Sequence, residues 1–288
     1  MDQRALRAAL LKLAGADALP ASRFTAAQRN ALDRFARHTG AVGCQRQGSG
    51  DVYRVLDAGV FAGHLAALSP QAHTPTPADL PPRARHIARS RASKAGEHQH
   101  ACHYPILKAV GDGVCWQDGA RGAVLALGPL TRDCGAASLR IEADDAWRTE
   151  QALWLVENQA LFDRTDWLPP DTVATLLYYG GQLDGRLLAW LAGRPRASRI
   201  VHFADYDGVG LANFARLHAL LGDACEYWLM PDWSTKLARY GSNRLWRDTL
   251  REFTAAAARL PDCLAPLTQQ MQRCGLALEQ EAVWLPGW

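Results

Sequence analysis

The sequence lacks any apolar run long enough to span a membrane, and it lacks a Cys-x-x-Cys pair among its seven cysteines. Because a membrane-spanning helix needs about 20 predominantly apolar residues, we expect no membrane partner. The N-terminus also lacks the uninterrupted apolar core of a signal peptide, since Arg4 and Arg7 interrupt it. An odd number of cysteines without paired spacing is typical of reduced thiols, so we expect a cytoplasmic protein.

Acidic residues are scarce in the first third of the chain. Residues 1–94 carry a net charge of +8, whereas residues 95–288 carry −5. A basic N-terminal third and an acidic remainder of the chain suggest a polyanion-binding module joined to a metal-binding module. Chance variation between solvated surfaces is the alternative. The overall composition, 48% hydrophobic and 21% charged, is typical of a globular protein.

The sequence of the N-terminal region predicts two helices followed by a β-hairpin. Residues 2–14 have an apolar helical face, and a second helix is predicted from Thr25, which has capping-box spacing to Gln28. Turn residues at 47–51 separate two short strand-like runs, which predicts a hairpin. We interpret residues 1–68 as a winged-helix-like α+β module that binds nucleic acid, with protein contact as the alternative.

A linker and a basic segment follow at residues 69–100. Five prolines between 69 and 82 are typical of a linker. Residues 83–94 contain clustered basic side chains and no acid. Clustered cations favour contact with DNA phosphates, and a solvated basic helix is the alternative. The candidate DNA-binding residues are Arg34, Arg37, Arg83, Arg85, Arg89, Arg91 and Lys94.

The sequence of the C-terminal region predicts an α/β fold. Residues 101–146 hold short apolar runs broken by glycines, which predicts a β-rich segment, and strands alternate with helices over residues 147–288. This alternation is typical of a parallel sheet with right-handed crossovers. We predict strands at 153–157, 173–179, 199–204 and 225–230, with a last strand-like stretch at 282–284. We predict helices near 184–192, 208–221, 232–240 and 244–258.

Three acids follow two of the predicted strands. Glu157 ends the apolar run 153–156, and Asp205 and Asp207 follow the run 199–204. Buried acids are costly unless something pairs with them, and ligands of parallel sheets bind outside the carboxyl ends of the strands. Mg²⁺ prefers oxygen ligands and often uses one or two carboxylates. The pattern therefore predicts a divalent-cation site that acts on a phosphodiester.

Several neighbouring residues have two interpretations. Gly208 and Gly210 would leave room for a phosphate at the next helix N-terminus, whereas Asp207 could simply cap that helix. Lys236 could contact a phosphate or the leaving oxygen, or it could be a surface lysine. The segment 97–103 has the residue types of a zinc site but lacks a matching second half, so we interpret it as a polar loop.

The order of these motifs resembles a known family. The chain carries, in sequence, Val156-Glu157-Asn158, Tyr179-Gly180-Gly181, Asp205-Tyr206-Asp207-Gly208-Val209-Gly210-Leu211 and Leu229-Met230-Pro231-Asp232. This series resembles the Toprim domain, and more narrowly the nuclease subunit of the Wadjet and Mks anti-plasmid systems (JetD and MksG). That subunit is related to the A subunit of topoisomerase VI. The resemblance covers roughly residues 150–240.

The resemblance implies a Mg²⁺- or Mn²⁺-dependent DNA endonuclease that works beside an SMC-like ATPase complex in plasmid defence. It implies a Toprim-like domain, a Rossmann-like parallel sheet, at residues 147–288. It places the metal-binding acids on Glu157, Asp205 and Asp207, and a further acid near Asp232, although Pro231 departs from the family pattern. A homodimer would supply one site for each strand of double-stranded DNA.

Two alternatives remain open at this point. The protein could be a non-catalytic DNA-binding or assembly subunit with a Toprim-like fold. It could also be a strand-transfer enzyme like topoisomerase VI, which needs a tyrosine nucleophile such as Tyr53 or Tyr104. Neither tyrosine lies in a recognisable cleavage motif, so we favour hydrolysis by water.

Overall fold

The computed structural model describes residues 2–16, 18–48, 50–68, 80–81, 83–85, 87 and 102–287. It divides the chain into two compact units, residues 1–100 and 101–288. The second unit includes both the predicted β-rich segment and the predicted α/β segment. The basic candidates Arg89, Arg91 and Lys94 lie outside the described residues, as does most of the segment 97–103.

The first unit combines helices with a small antiparallel sheet. Its helices are α1 (Gln3–Ala14), α2 (Ala26–Thr39) and α3 (Ala58–Leu68). Its strands are β1 (Ala18–Pro20), β2 (Val42–Gln47) and β3 (Gly50–Val55), in the order β1-β3-β2. The core of this unit is formed by apolar residues that include Leu6, Leu10, Leu13, Leu32 and Phe35.

Local sequence signals explain much of the first unit. The hydroxyl of Thr25 accepts a hydrogen bond from the Gln28 backbone amide, and the Gln28 side chain accepts one from the Thr25 amide. This capping box starts α2 where the sequence predicts it. The predicted hairpin is also confirmed, with β2 and β3 pairing from Val42 opposite Val55.

The described residues of the second unit contain nine strands and seven α-helices, together with short 3₁₀ segments. Its strands are β4 (Ile106–Val110), β5 (Cys115–Asp118), β6 (Ala123–Ala126), β7 (Ala137–Ser138), β8 (Trp147–Arg148), β9 (Ala152–Val156), β10 (Ala174–Tyr178), β11 (Ile200–Phe203) and β12 (Cys225–Tyr227). Its helices are α4 (Leu127–Cys134), α5 (Gln159–Asp163), α6 (Gly185–Gly193), α7 (Gly208–Leu221), α8 (Trp233–Tyr240), α9 (Asn243–Ala257) and α10 (Ala265–Cys274).

A six-stranded, largely parallel sheet forms the centre of the second unit, which confirms the α/β prediction. Its order is β12-β11-β9-β10-β4-β7, and the first four strands run parallel. Strands β4 and β7 add an antiparallel edge. The chain leaves β9 to form β10 on one side and returns to form β11 on the other. The carboxyl ends of β9 and β11 therefore lie side by side, at the point where the strand order reverses.

Two predictions of secondary structure need correction. Helix α4 lies inside the segment that we predicted to be β-rich. The strand-like stretch at 282–284 is wrong, because Gln280–Trp284 forms a 3₁₀ helix. A short apolar run cannot by its period alone distinguish a strand from a helical turn.

Two expectations about the whole chain can also be compared with the structure. All seven cysteines are free, as their spacing predicts. Within the described residues, no helix is both long enough and apolar enough to cross a membrane.

Candidate functional site

Two acids follow neighbouring parallel strands. Phe203 of β11 pairs with Val156 of β9, so Glu157 comes directly after the last paired residue of β9 and Asp205 comes two residues after that of β11. Glu157 is 8% exposed and Asp205 is half-buried. The sheet itself therefore places both carboxylates at one edge. Asn158, the residue after Glu157, and Asp205 are 47 residues apart in the chain.

The Glu157 carboxylate is held by hydrogen bonds that run through the side chains of Tyr179 and His202. The Tyr179 hydroxyl lies 3.2 Å from Glu157 Oε2 and 2.9 Å from His202 Nε2. His202 is fully buried and is stacked between the rings of Tyr179 and Phe214. Burial lowers the pKa of His202 to about 3, so the imidazole is neutral at neutral pH. A neutral His202 that donates from Nε2 leaves the tyrosine proton free to bond to Glu157.

Asp205 is held by two donors from different parts of the chain. Its Oδ1 accepts hydrogen bonds from Asn158 Nδ2 at 3.0 Å and from the Gln280 backbone amide at 2.8 Å. The same Asn158 amide group also donates to Glu281 Oε2 at 3.1 Å. Asn158 therefore links Asp205 to an acid from the C-terminal segment. This brings a further carboxylate to the strand ends.

The pKa values of these acids are raised. Burial, and then the charges of Asp205 and Asp207, raise the pKa of Glu157 to about 8. Burial, opposed by the hydrogen bond from Gln280, raises the pKa of Asp205 to about 7. None of the ion pairs seen in the described part of the chain involves Glu157, Asp205 or Asp207. The acids are thus buried near one another without a positive partner.

Asp207 is the N-cap of α7, which was the simpler of its two interpretations. Its Oδ1 accepts a hydrogen bond of 2.7 Å from the Gly210 amide, and the side chain is almost fully buried. Burial raises the pKa of Asp207, while the bonds from the helix amides lower it. Asp207 therefore has a structural role at the start of α7 in addition to any role as a ligand.

The two glycines after Asp207 are explained by packing. The Gly208 amide donates to Thr249 Oγ1 at 3.1 Å, and a Cβ at Gly208 would collide with the Thr249 carbonyl of α9. A Cβ at Gly210 would collide with the carbonyl oxygen of Asp205. Because Thr249 and Asp207 already occupy these helix amides, the glycines do not make the predicted phosphate pocket. They allow α7 to approach α9 and the end of β11 closely.

Lys236 and Asp232 differ from the three acids in their burial and in their contacts. Lys236 is 4% exposed, and its Nζ donates to the Val283 carbonyl at 3.0 Å, so the interpretation as a surface lysine is wrong. Burial lowers the pKa of Lys236. Asp232 is exposed, with a left-handed φ of 56°, and no hydrogen bond in the described part of the chain links its carboxylate to the acids.

The donor set fits a hard divalent cation in its chemistry. Within the described ranges, no three Asp, Glu, His or Cys side chains lie close enough together to hold one metal ion at once. Mg²⁺ commonly needs only one or two carboxylates, with water and phosphate completing its shell. Glu157 and Asp205 offer that number of oxygens from adjacent strands. Their lack of a cationic partner is what an ion would compensate.

Several residues at this edge escaped the sequence analysis. Asn158 and Tyr179 lie within the quoted motifs, but no local sequence pattern predicts their contacts. His202 is the polar residue of an otherwise apolar strand, a signal that could have indicated it. Gln280 and Glu281 carry no local signal, since Gln280 lies 122 residues from Asn158, which it contacts.

The candidate DNA-binding residues of the first unit lie on its surface. Arg34 and Arg37 are exposed on α2. Residues 83–85 are helical, with Arg83 exposed and Arg85 half-buried. Their side chains are therefore accessible to a ligand in varying degree.

The two candidate tyrosine nucleophiles differ in their exposure to solvent. Tyr53 is buried, and its hydroxyl donates to Asp33 Oδ1 at 2.6 Å. Burial raises the pKa of this hydroxyl, with the bond to Asp33 as a second cause. Tyr104 is 58% exposed. Only Tyr104 of this pair is placed where a DNA strand could reach it.

The comparison with known proteins gives a family and no function. No curated protein matches the sequence. Residues 127–285 match a family described as a domain of unknown function (DUF7281). The match covers more than half of the chain and includes the acids Glu157, Asp205 and Asp207 as well as Gln280. The chain belongs to the DUF7281 family.

Proposed function

We propose that this protein is a Mg²⁺- or Mn²⁺-dependent endonuclease that hydrolyses phosphodiester bonds of double-stranded DNA. One observation carries the proposal: Glu157 and Asp205 are buried together at adjacent strand ends, with raised pKa values and no ion pair. Perturbed acids of this kind cluster at functional sites. A purely structural role would be expected to supply a positive partner.

The sheet topology supports a Toprim-like assignment of the second unit. Its four parallel strands have the order β12-β11-β9-β10, so the first strand of the series is central. In open α/β sheets, ligands bind outside the carboxyl ends of the strands where the order reverses. The acids after β9 and β11 occupy that point. The Toprim resemblance and the topology therefore indicate the same edge of the sheet.

In this mechanism, Glu157 and Asp205 would hold the ion, and Asp207 would add negative charge from the cap of α7. When bound there, a divalent ion would supply polarisation of the phosphodiester and activation of a water molecule. Tyr179 orients the Glu157 carboxylate through its hydroxyl, and Asn158 orients Asp205. These bonds hold the ligand oxygens in place, as the hydrogen-bond partners of metal ligands generally do.

The first unit would hold the DNA. Its sheet order β1-β3-β2 and its hairpin after α2 support the winged-helix interpretation. Arg34 and Arg37 would contact phosphates together with Arg83 and Arg85. Such contacts predict an affinity for DNA that falls steeply with salt. We place the enzyme in the cytoplasm, as a homodimer beside an SMC-like ATPase complex of a plasmid-defence system.

Nicking of supercoiled plasmid with Mg²⁺ or Mn²⁺ tests the proposal. We expect Glu157→Gln to abolish cleavage, while Glu150→Gln, which changes an acid with a 76% exposed side chain, leaves it intact. Cleavage that survives Glu157→Gln would remove the proposed site. Because cleavage could require partner proteins, calorimetric titration with Mn²⁺ provides a second readout that needs none.

A second function is favoured by one observation, the absence of a three-ligand group among the described residues. In that case the protein is a non-catalytic DNA-binding or assembly subunit. It would bind DNA in a salt-dependent manner and would bind no Mn²⁺ at millimolar concentration. A strand-transfer enzyme would instead leave a covalent DNA adduct on a tyrosine, and Tyr104 is the exposed candidate.

A further inference from the structure

The C-terminal segment inserts a buried glutamine between two strand ends. Gln280 is fully buried at the start of the 3₁₀ helix Gln280–Trp284. Its Nε2 donates to the carbonyl of Phe203, the last residue of β11, and its Oε1 accepts a hydrogen bond of 3.0 Å from the backbone amide of Asn158, after β9. One side-chain amide therefore bonds to the backbone at the ends of both neighbouring strands, at the last paired residue of β11 and two residues beyond that of β9.

The backbone of Gln280 makes a third contact at the same place. Its amide donates to Asp205 Oδ1 at 2.8 Å. Directly paired strands lie about 4.8 Å apart, and a side-chain amide inserted between two strand ends replaces that direct pairing. Gln280 thus bridges the chain just after Glu157 and the chain around Asp205.

Other contacts hold the segment itself. Leu278 and Tyr206 exchange two backbone hydrogen bonds, of 2.8 and 3.0 Å. The buried Lys236 donates to the Val283 carbonyl, and Trp284 Nε1 donates to Asp166 Oδ1 at 2.9 Å. The segment is therefore held on both sides of Gln280. A glutamine so constrained can position the groups that it contacts.

We infer that Gln280 is a positioning residue for metal binding, which sets the spacing of the Glu157 and Asp205 carboxylates and orients Asp205. Gln280 does not touch the ion in this role, and it has the role only if the proposed metal site exists. Lys236 then acts as an anchor of the positioning segment, and its buried amine needs no contact with DNA.

Gln280→Met in the full-length protein tests this role by calorimetric titration with Mn²⁺. The change keeps the side-chain length and the backbone amide but removes both side-chain bonds. We expect the affinity for Mn²⁺ to fall roughly 10- to 100-fold, as it does when partners of metal ligands are removed. An affinity of the folded variant equal to that of the wild-type protein would overturn the inference.

Gln270→Met is a matched control. Gln270 also makes two side-chain hydrogen bonds, both to Ser234, at 2.7 and 2.9 Å. Its loss removes bonds of the same kind between α10 and α8, so thermal unfolding can compare the two variants. We expect Gln270→Met to bind Mn²⁺ as the wild-type protein does. An equal loss of Mn²⁺ affinity in both variants would assign the effect to general destabilisation.

A second variant covers the case in which Gln280→Met does not fold. Gln280→Asn keeps an uncharged side-chain amide but is one methylene shorter, so it cannot bond to Phe203 and Asn158 at the same time. Weaker Mn²⁺ binding by this variant supports positioning, and an affinity equal to that of the wild-type protein overturns it. A wild-type protein that binds no Mn²⁺ would instead refute the proposed metal site.

Discussion

Two of the places where the second unit buries charge differ in pairing. Asp145 and Arg196 have fully buried side chains and form an ion pair of 2.9 Å. Arg196 also donates to the carbonyls of Trp190 and Trp147, and Asp145 accepts a bond from the Trp190 indole. This pair connects the chain before β9 with the chain before β11 and is part of the fold.

The acids at the strand ends are less completely buried, with Glu157 8% exposed and Asp205 half-buried, and they have no such partner. Burial raises the pKa of Glu157 to about 8 and that of Asp205 to about 7. The Asp145 charge is neutralised within the chain, whereas no ion pair in the described part of the chain involves the acids at the strand ends.

The largest effect should come from breaking the paired site. Arg196→Met leaves Asp145 buried without its cation, so we expect the free energy of unfolding to fall by about 3–5 kcal/mol. Denaturant titration measures this loss. Arg148→Met is the control, because its ion pair with Glu150 is exposed and should contribute at most about 1 kcal/mol. Equal losses in both variants would erase the contrast between buried and exposed pairs.

The unpaired acids should make the metal-free protein less stable as the pH rises. Their folded pKa values, about 8 for Glu157 and about 7 for Asp205, exceed the ordinary values of 4.5 and 3.8. The stability that they contribute is present at low pH and is lost as the pH rises through the folded values. His202, with its pKa lowered to about 3, acts oppositely, but only below its ordinary value of 6.5.

We therefore expect the free energy of unfolding to fall by roughly 2 kcal/mol between about pH 6.5 and pH 8.5 with a chelator present. Millimolar Mn²⁺ should reverse the loss, because a ligand that binds the folded state stabilises it. Urea titrations across this range provide the measurement. A flat or rising profile without metal would show that the acids are already compensated.

Neutralising one unpaired acid should produce a smaller effect of the opposite sign to that of Arg196→Met. At pH 8.5 without metal, we expect Glu157→Gln to stabilise the protein by about 0.5–2 kcal/mol, as changes at functional sites often do. At pH 6.5 the gain should vanish, because the wild-type Glu157 is then protonated. Glu150→Gln serves as the exposed control. A loss of stability at both pH values would instead make Glu157 a structural residue.

The smallest effect is expected at Asp232, the acid that the resemblance adds to the set. Its side chain is exposed, and asparagine tolerates its left-handed backbone. We expect Asp232→Asn to keep the Mn²⁺ affinity within about twofold of the wild-type value, since exposed charges are screened. Calorimetry under the conditions used for Gln280→Met gives the comparison. A large loss of affinity would place Asp232 among the ligands.

Much of the fold was predictable because its signals are local. Alternating apolar runs predict the strands β9 to β12 and the helices α6 to α9, and capping-box residues predict the start of α2. Such signals depend on periodicity and on contacts within a few residues. The 3₁₀ helix at Gln280 was missed because hydrogen bonds to distant strand ends, and no local pattern, decide its conformation.

The sequence by itself determined the alternation of elements and the positions of Glu157 and Asp205 directly after two strands, because chain order and periodicity are local properties. Only the tertiary structure decided that these strands are neighbours, that His202 lies behind Tyr179, and that Gln280 returns to bridge them. It also decided that Gly208 serves helix packing. Contacts between residues far apart in the chain depend on how the layers pack, and a single sequence does not encode that in any short pattern.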